Sequence, residues 1–489
     1  MSSRSSAAIV ALALSLFAQA PPASVAQLRH DIDAILAAPA LDRGFWGVLV
    51  KSLDTDETWY SLNAGKLMMP ASTMKVITLA AAAEKLGWDF RYDTRLSGTG
   101  PVSDGVLHGD LLVVGSGDPS IDDWDGAATK LFGDWAAQLK AAGIQTIDGR
   151  IVGDDNAFDD EGIGFGWSWD DLPAGFAAGV SALQFNAGSV RLTLAPGATA
   201  GAKAMASLSP ASGGLTVSNQ MTTGAANSPA MVVRRRLPGT SRLELRGSLP
   251  LRSRPFSQVV SVDNPTMYFV TALRGALVAG GIDVRGPAVD IDDLAAVPAR
   301  NGTAPLITYQ SPPLSMLAMT MMKLSQNQYA EALFKTIGVD SVSKAPATAE
   351  SGRAAVQSVL QSWSIPTSGL IQADGSGLSR YNYVTPETLV AVLAHINRDE
   401  RLRSGYEATL PIAGRDGLLQ NRMRGTAAEG NARAKNGSMA NVRAMTGYVR
   451  TADGELLTFA IFANNFENSS SVINAATDAI VVRLATFHR

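Results

Sequence analysis

The chain contains no cysteine, which excludes disulfides and a lipid-modified N-terminal cysteine. Histidine is scarce as well. His30, His108, His395 and His488 are the four present, and they stand in no pattern that a Ser-His-Asp hydrolase would need. His395, alone in a helical stretch, reads as structural. Beyond the N-terminus no apolar run is long enough to span a bilayer, so at most peripheral membrane association is expected. An excess of basic charge is also missing: 41 Lys and Arg stand against 44 Asp and Glu, a formal net charge of -3. Nothing in that balance suggests nucleic acid binding. The cluster Arg234-Arg235-Arg236, running into Leu237-Pro238-Gly239, reads as a solvated strand end.

What is present is length and apolar content. With 489 residues, 46% of them hydrophobic and 17% charged, the chain can bury a large core and exceeds one ordinary domain. Arg4 is followed by an apolar run from Ala7 to Ala18 and then by small residues ending Ser24-Val25-Ala26. This is the form of a secretory signal peptide over residues 1–26, cleaved after Ala26. Amphipathic spacing then predicts a helix from Leu28 to Leu36, and two β-like runs follow at 46–50 and 58–62. From about Tyr92 to Leu306 glycine, serine and short alternating runs dominate, which marks an insertion; residues 197–227 within it read as irregular loop or weak strand. Helical texture returns at 314–323, where four methionines at helical spacing read as core filler. Further helices are expected at 329–337, 354–362, 386–396 and 472–486, with strands at 442–449 and 456–463. Strands near both ends of the chain suggest one α/β layer whose sheet is closed by both termini.

The stretch Met69-Pro70-Ala71-Ser72-Thr73-Met74-Lys75 opens an alanine-rich helix that Gly87 stops. Ser72 and Lys75 therefore share a helical face. A lysine buried against Met74, Val76 and Leu79 loses hydration of its charged form, so it can take the serine proton without any histidine. The same spacing also describes a capped surface turn, and Ser341-Val342-Ser343-Lys344 repeats it. Two later signatures separate the readings. Ser325-Gln326-Asn327 lies between two helical segments, and Lys435-Asn436-Gly437-Ser438 lies in a strand-flanked run. Acyl transfer through a serine ester needs a base, a proton relay to the leaving amine, oxyanion donors and a grip on a carboxylate. Ser72 would attack and Lys75 would accept its proton. Ser325 would relay a proton, Asn327 would hold Lys75, and Lys435 would supply positive potential. Gly437 would let the strand approach, and the backbone N–H groups of Ser72 and Ser438 would form the oxyanion hole.

In this order the three signatures resemble the serine-lysine set of penicillin-binding proteins and class A β-lactamases. The chain is similar to one family over residues 28–489. That family is the D-alanyl-D-alanine carboxypeptidase/endopeptidases, the class C low-molecular-mass penicillin-binding proteins. Shared segments include Gly117-Asp118-Pro119, Gly153-Asp154-Asp155 with Phe158-Asp159, Trp167-Ser168-Trp169-Asp170-Asp171, the run Asp374 to Arg380, Leu410-Pro411-Ile412-Ala413-Gly414, and the run Asn421 to Gly430.

The resemblance implies an α/β (α+β) fold, a transpeptidase domain like that of DD-peptidases and serine β-lactamases, interrupted by two nested, strand-rich insertions. The expected division is a catalytic domain over 27–91 and 307–489, an inserted domain over 92–119 and 206–306, and a nested domain over 120–205. It implies periplasmic trimming of peptidoglycan peptides, with β-lactams as covalent inhibitors and with no metal or cofactor. Arg380 is a candidate grip for the charged end of a diaminopimelate side chain. One departure stands out: the family's third signature is Lys-Thr-Gly, and here position 436 is asparagine. Its longer amide is expected to reach further into the cleft and to take part in substrate binding, but to recognise a free terminal carboxylate more weakly than threonine would, tilting the balance toward internal cross-link bonds. A β-lactamase-like hydrolase and a catalytically weakened penicillin-binding scaffold remain open as alternatives at this level.

Overall fold

The computed structural model describes residues 24–211, 214–296, 298, 304–339 and 345–489. Most of the expected signal peptide, and the Ser-x-x-Lys repeat at 341–344, lie outside the described residues. The architecture centres on a five-stranded antiparallel sheet made of β1 (Phe45–Ser52), β2 (Thr58–Leu62), β3 (Arg433–Met439), β4 (Val442–Arg450) and β5 (Leu456–Asn464). Its strand order is β2-β1-β5-β4-β3, so both ends of the chain enter one sheet, and β3 is an edge strand.

The sheet is covered on both faces by helices: α1 (Val25–Leu36), α2 (Met74–Leu86), α3 (Leu314–Lys323), α4 (Asn327–Thr336), α5 (Ala349–Ser362), α6 (Pro386–Arg398), α7 (Glu400–Thr409) and α8 (Ser470–Ala485). The two-residue period of a strand sorts the side chains. Along β5, Leu457, Phe459, Ile461 and Ala463 pack with α1 and α8, while Ala460 and Phe462 pack toward α2 to α7. Helix α2 is buried at every residue from Met74 to Ala83, as befits a helix apolar on all sides; its alanines keep it narrow enough for neighbours to close around it. Helix α1 begins at Val25, three residues before the spacing indicates, because Ser24 caps it by accepting from Gln27 N at 3.2 Å. A cut after Ala26 would remove that cap.

Two expectations about single side chains are corrected. Of the four methionines on α3, Met321 and Met322 are buried, but Met316 and Met319 are exposed, because they fall on the helix face turned away from the core. Arg236 is not solvated: it is buried, pairs with Asp263 at 2.8 Å and donates to Ser261 Oγ at 2.9 Å. His395 stacks on Trp363 with ring centroids 4.1 Å apart.

Between α2 and α3 the chain builds a separate apolar cluster that runs from Leu96 to Ile307. The strand pairings there do not follow the expected nested boundary. Ile151–Asp154 lies in one sheet with Asp93–Gly98, Leu111–Gly115, Ala288–Asp290 and Ile307–Gln310, and Ser189–Ala195 pairs with both Met205–Ser209 and Phe256–Ser261. A cut at 119/120 or 205/206 would divide these sheets, and the strand at 307–310 belongs with the insertion. Composition marks where texture changes; it does not report which strands pair.

Candidate active site

Ser72 sits in a 3-10 turn, Ala71–Thr73, that leads directly into α2. The turn is strained. Ala71 has φ 45°, a region that costs a residue with a side chain about 1–3 kcal/mol. Two glycines hold it in place. Gly377, at φ 86°, passes so close that a Cβ would lie 1.8 Å from Ala71 O, and a Cβ on Gly437 would lie 2.5 Å from Pro70 O and 3.1 Å from Ser72 N. Thr73 Oγ1 adds a hydrogen bond to Pro70 O at 2.8 Å.

Lys75, one turn along, is completely buried. Its Nζ reaches Ser72 Oγ at 3.1 Å, Asn327 Oδ1 at 2.6 Å and the Ser376 carbonyl at 2.7 Å. An ammonium group has three donors and no lone pair. A neutral amine keeps two donors. Amide oxygen and carbonyl can only accept, so they claim both N–H bonds, and the lone pair is left facing the Ser72 hydroxyl. Burial lowers the Lys75 pKa to about 7, opposed by the negative charges of Glu331 and Asp374. Both the geometry and the lowered pKa are those a general base requires.

Asn327 opens α4, with its Nδ2 fixed by Phe176 O at 2.8 Å, so its oxygen must point at Lys75. Ser325 precedes it at φ 60° and lines the cleft. Lys435 on β3 is also fully buried; its Nζ donates to Asn436 O at 2.9 Å. Burial, and then the neighbouring Lys75, hold its pKa well below the usual lysine value. Each of the two buried amines thus disfavours the charged form of the other. The β3–β4 hairpin pairs Met439 with Val442 across two residues. That pair closes the ladder, so by alternation the N–H groups of Asn436 and Ser438 turn outward along the open edge. Asn436 differs from expectation: it does not line the cleft, and its Oδ1 is buried with no hydrogen-bond partner among the described residues. The residue as a whole is half-buried.

These elements enclose a cleft of about 290 Å³ lined by Ser72, Ser325, Asn327, Ser438 and Arg380; Lys75, Lys435, Asn436 and Gly437 are not part of its lining. Sequence reasoning missed one whole wall. Ser168, Asp170, Asp171 and Phe176 come from the insertion, anchored by Trp167 Nε1 donating to Asp374 Oδ2 at 2.9 Å and Gln328 Nε2 donating to Ala178 O at 2.8 Å. It also missed Glu331, buried on α4, which accepts from Gly375 N at 3.0 Å and Ser376 N at 2.8 Å. The signal available was its place four residues after Asn327, on the same helix face.

The D-Ala-D-Ala carboxypeptidase 3 (S13) family matches residues 28–487. The chain belongs to that family. It is 36% identical over 483 residues to a D-alanyl-D-alanine carboxypeptidase of Actinomadura sp. (strain R39), covering 96% of this chain and 86% of that protein. To the D-alanyl-D-alanine carboxypeptidase DacB of Haemophilus influenzae it is 30% identical over 424 residues, 86% of this chain and 85% of that one. The crystal structure of penicillin binding protein 4 (dacB) from Haemophilus influenzae is similar with a TM-score of 0.83 at 28% identity, covering 93% of this chain and 98% of that chain. A second crystal structure of that protein, complexed with a novel β-lactam, gives a TM-score of 0.76 at 27% identity. Among the described residues no helix of this S13 family member is long and apolar enough to cross a membrane.

Proposed function

We infer that this serine D-Ala-D-Ala carboxypeptidase works through an acyl-enzyme on Ser72, trimming peptidoglycan stem peptides and their cross-links in the periplasm. The observation that carries this reading is the Lys75 amine, buried and held by two acceptors with its third direction at Ser72 Oγ. Ser72 Oγ attacks the carbonyl carbon of the penultimate residue while Lys75 takes its proton. The N–H groups of Ser72 and Ser438 hold the oxyanion. Collapse breaks the C–N bond, and the leaving amine takes a proton through the Ser325 hydroxyl. Water then attacks the ester, returning a proton to Ser72 and releasing the shortened peptide. A β-lactam follows the first half of this path, but its amine stays tethered, so β-lactams act as covalent inhibitors. A substrate carboxylate arriving beside Lys435 favours its charged form, since the new negative charge opposes the effects of burial and of Lys75. Incubation with a labelled penicillin, followed by peptide mapping, should place the adduct on the peptide containing Ser72; an adduct on Ser325 would refute the assignment.

The cleft wall bears on which peptide is taken. Arg380, Asp170 and Asp171 line the same cleft, so it presents both signs of charge to a zwitterionic side chain such as that of diaminopimelate. Arg380→Ala is expected to lower kcat/KM selectively for substrates carrying that end, by about tenfold. An equal loss on substrates without it would make Arg380 a brace for the loop, through its bond to Ala440 O at 3.4 Å.

Asn436 shapes the balance between the two activities. With its Oδ1 buried and unpartnered, it offers the terminal carboxylate less than a threonine hydroxyl would. Asn436→Thr should raise carboxypeptidase kcat/KM relative to endopeptidase kcat/KM, on the one-hydrogen-bond scale of ~1 kcal/mol. Parallel assays on a monomeric pentapeptide and a cross-linked dimer read the ratio, and no rise would mean that asparagine serves as well as threonine.

A further inference from the structure

The base in the proposed mechanism has two fixed acceptors, and both trace back to one helix. Asn327 supplies its own amide oxygen. The other acceptor, Ser376 O, belongs to a loop with no regular structure of its own, and the orientation of that carbonyl has to come from its neighbours. Glu331, one turn after Asn327 on α4, receives the N–H groups of Gly375 and Ser376 on its two carboxylate oxygens at 3.0 and 2.8 Å. Thr78 of α2 donates to Gly375 O at 2.7 Å, and Asp374 Oδ1 receives Gly377 N at 2.8 Å, so each peptide of the loop is tied. The catalytic scheme gives Glu331 no chemical step, and it does not line the cleft.

We propose that Glu331 is a positioning residue, which clamps the Gly375-Ser376 backbone so that Ser376 O and Asn327 Oδ1 together aim the Lys75 lone pair at Ser72. This rests on the reading of Lys75 as the base. The groups that face Lys75 are Glu331 from α4, Asp374 from the loop and Lys435 from β3. Glu331 therefore acts on Lys75 twice. It sets the direction of the amine, and its carboxylate, whose pKa is pushed up by burial but whose charged form is favoured by the two N–H groups it receives, raises the proton affinity that burial lowers.

Replacement by glutamine separates this role from simple packing. Gln is nearly isosteric but has one acceptor oxygen and an NH2 that would confront the second backbone N–H. Second-order acylation by a fluorescent penicillin, measured across pH on the full chain, should show two changes in Glu331→Gln. The plateau should fall about tenfold. The acid limb should move down by about one pH unit, because losing the carboxylate's attraction makes Lys75 easier to deprotonate. A folded Glu331→Gln protein whose acid limb stays in place overturns the proposal. If that variant does not fold, Glu331→Asp decides: it keeps the charge but shortens the reach. The proposal then expects an acylation plateau at least about fivefold lower, with the acid limb in place and an unchanged unfolding temperature, and a plateau like the parent's overturns it. Lys75→Ala in the same assay keeps the two ideas apart. If it acylates normally, the base assignment fails; if it is inactive while Glu331→Gln keeps its acid limb, only the clamp fails.

Discussion

Lys75→Ala should slow acylation of Ser72 by at least about 10²-fold, the usual cost of losing a general base. The parent protein sets the reference curve. With the amine's pKa lowered to about 7, its base form grows as pH rises through that value, so acylation should climb with pH and then level off. The variant should lose that limb along with the rate. It should also be less stable, because Asn327 Oδ1 and Ser376 O are left buried without a donor, at roughly 1–3 kcal/mol for each unsatisfied group. The Asn327 amide cannot turn to compensate, since its NH2 is already held by Phe176 O. Rapid-mixing kinetics with a chromogenic β-lactam, with mass spectrometry of the adduct, gives both numbers, and unaltered acylation would remove Lys75 from the mechanism.

Gly437→Ala is the second large effect expected, and its cause is distance alone. Gly437 is not among the glycines with positive φ, so its backbone would accept any residue. Yet the added methyl would meet Pro70 O at 2.5 Å and Ser72 N at 3.1 Å, both backbone atoms that cannot swing aside. Strand β3 must retreat from the Ser72 turn, and the N–H groups of Ser72 and Ser438, the proposed oxyanion donors, move apart. Losing one such donor costs about 10²–10³-fold in rate, so acylation should fall by that order while circular dichroism stays native. Gly133 is the control: it lies inside the helix Ala127–Ala141 with open space around it, and Gly133→Ala should be neutral or stabilising by up to about 1 kcal/mol. If Gly437→Ala acylates as fast as Gly133→Ala, the close approach has no bearing on the chemistry.

Both predictions concern residues legible in the sequence, and the reason is local. Ser72 and Lys75 are a helical turn apart, and Lys435 to Ser438 form a single strand, so each fragment carries its own geometry. The sheet was legible from alternating runs at the two ends of the chain. What escaped was set by contacts between distant segments. Asp170, Asp171 and Phe176 enter the cleft only because Trp167 reaches Asp374 and Asn327 reaches Phe176, pairings without periodicity or spacing to betray them. Ser376 contributes a carbonyl, which its side chain does not announce. The reach of the Asn436 amide is legible from its length, but the burial of its Oδ1 is not. The inner division of the insertion failed for the same reason, since strand partners there are chosen by long-range pairing.

The pairing of β1 with β5, where Phe45 stands opposite Asn464, sets a schedule for folding. The Ser72 turn is made early in synthesis, whereas β5, which bridges β1 to β4 and so to β3, comes almost last. The insertion can gather its own apolar cluster from shorter-range contacts while the central sheet still waits for its final strands. Loop closure over so long a span is slow, and until it happens Ser72 has no facing strand and Lys75 is exposed to water with an ordinary proton affinity. On the proposed role of Ser72, a partly made chain would carry the nucleophile without its reactivity, and acylation by a penicillin would report completion of the last strand.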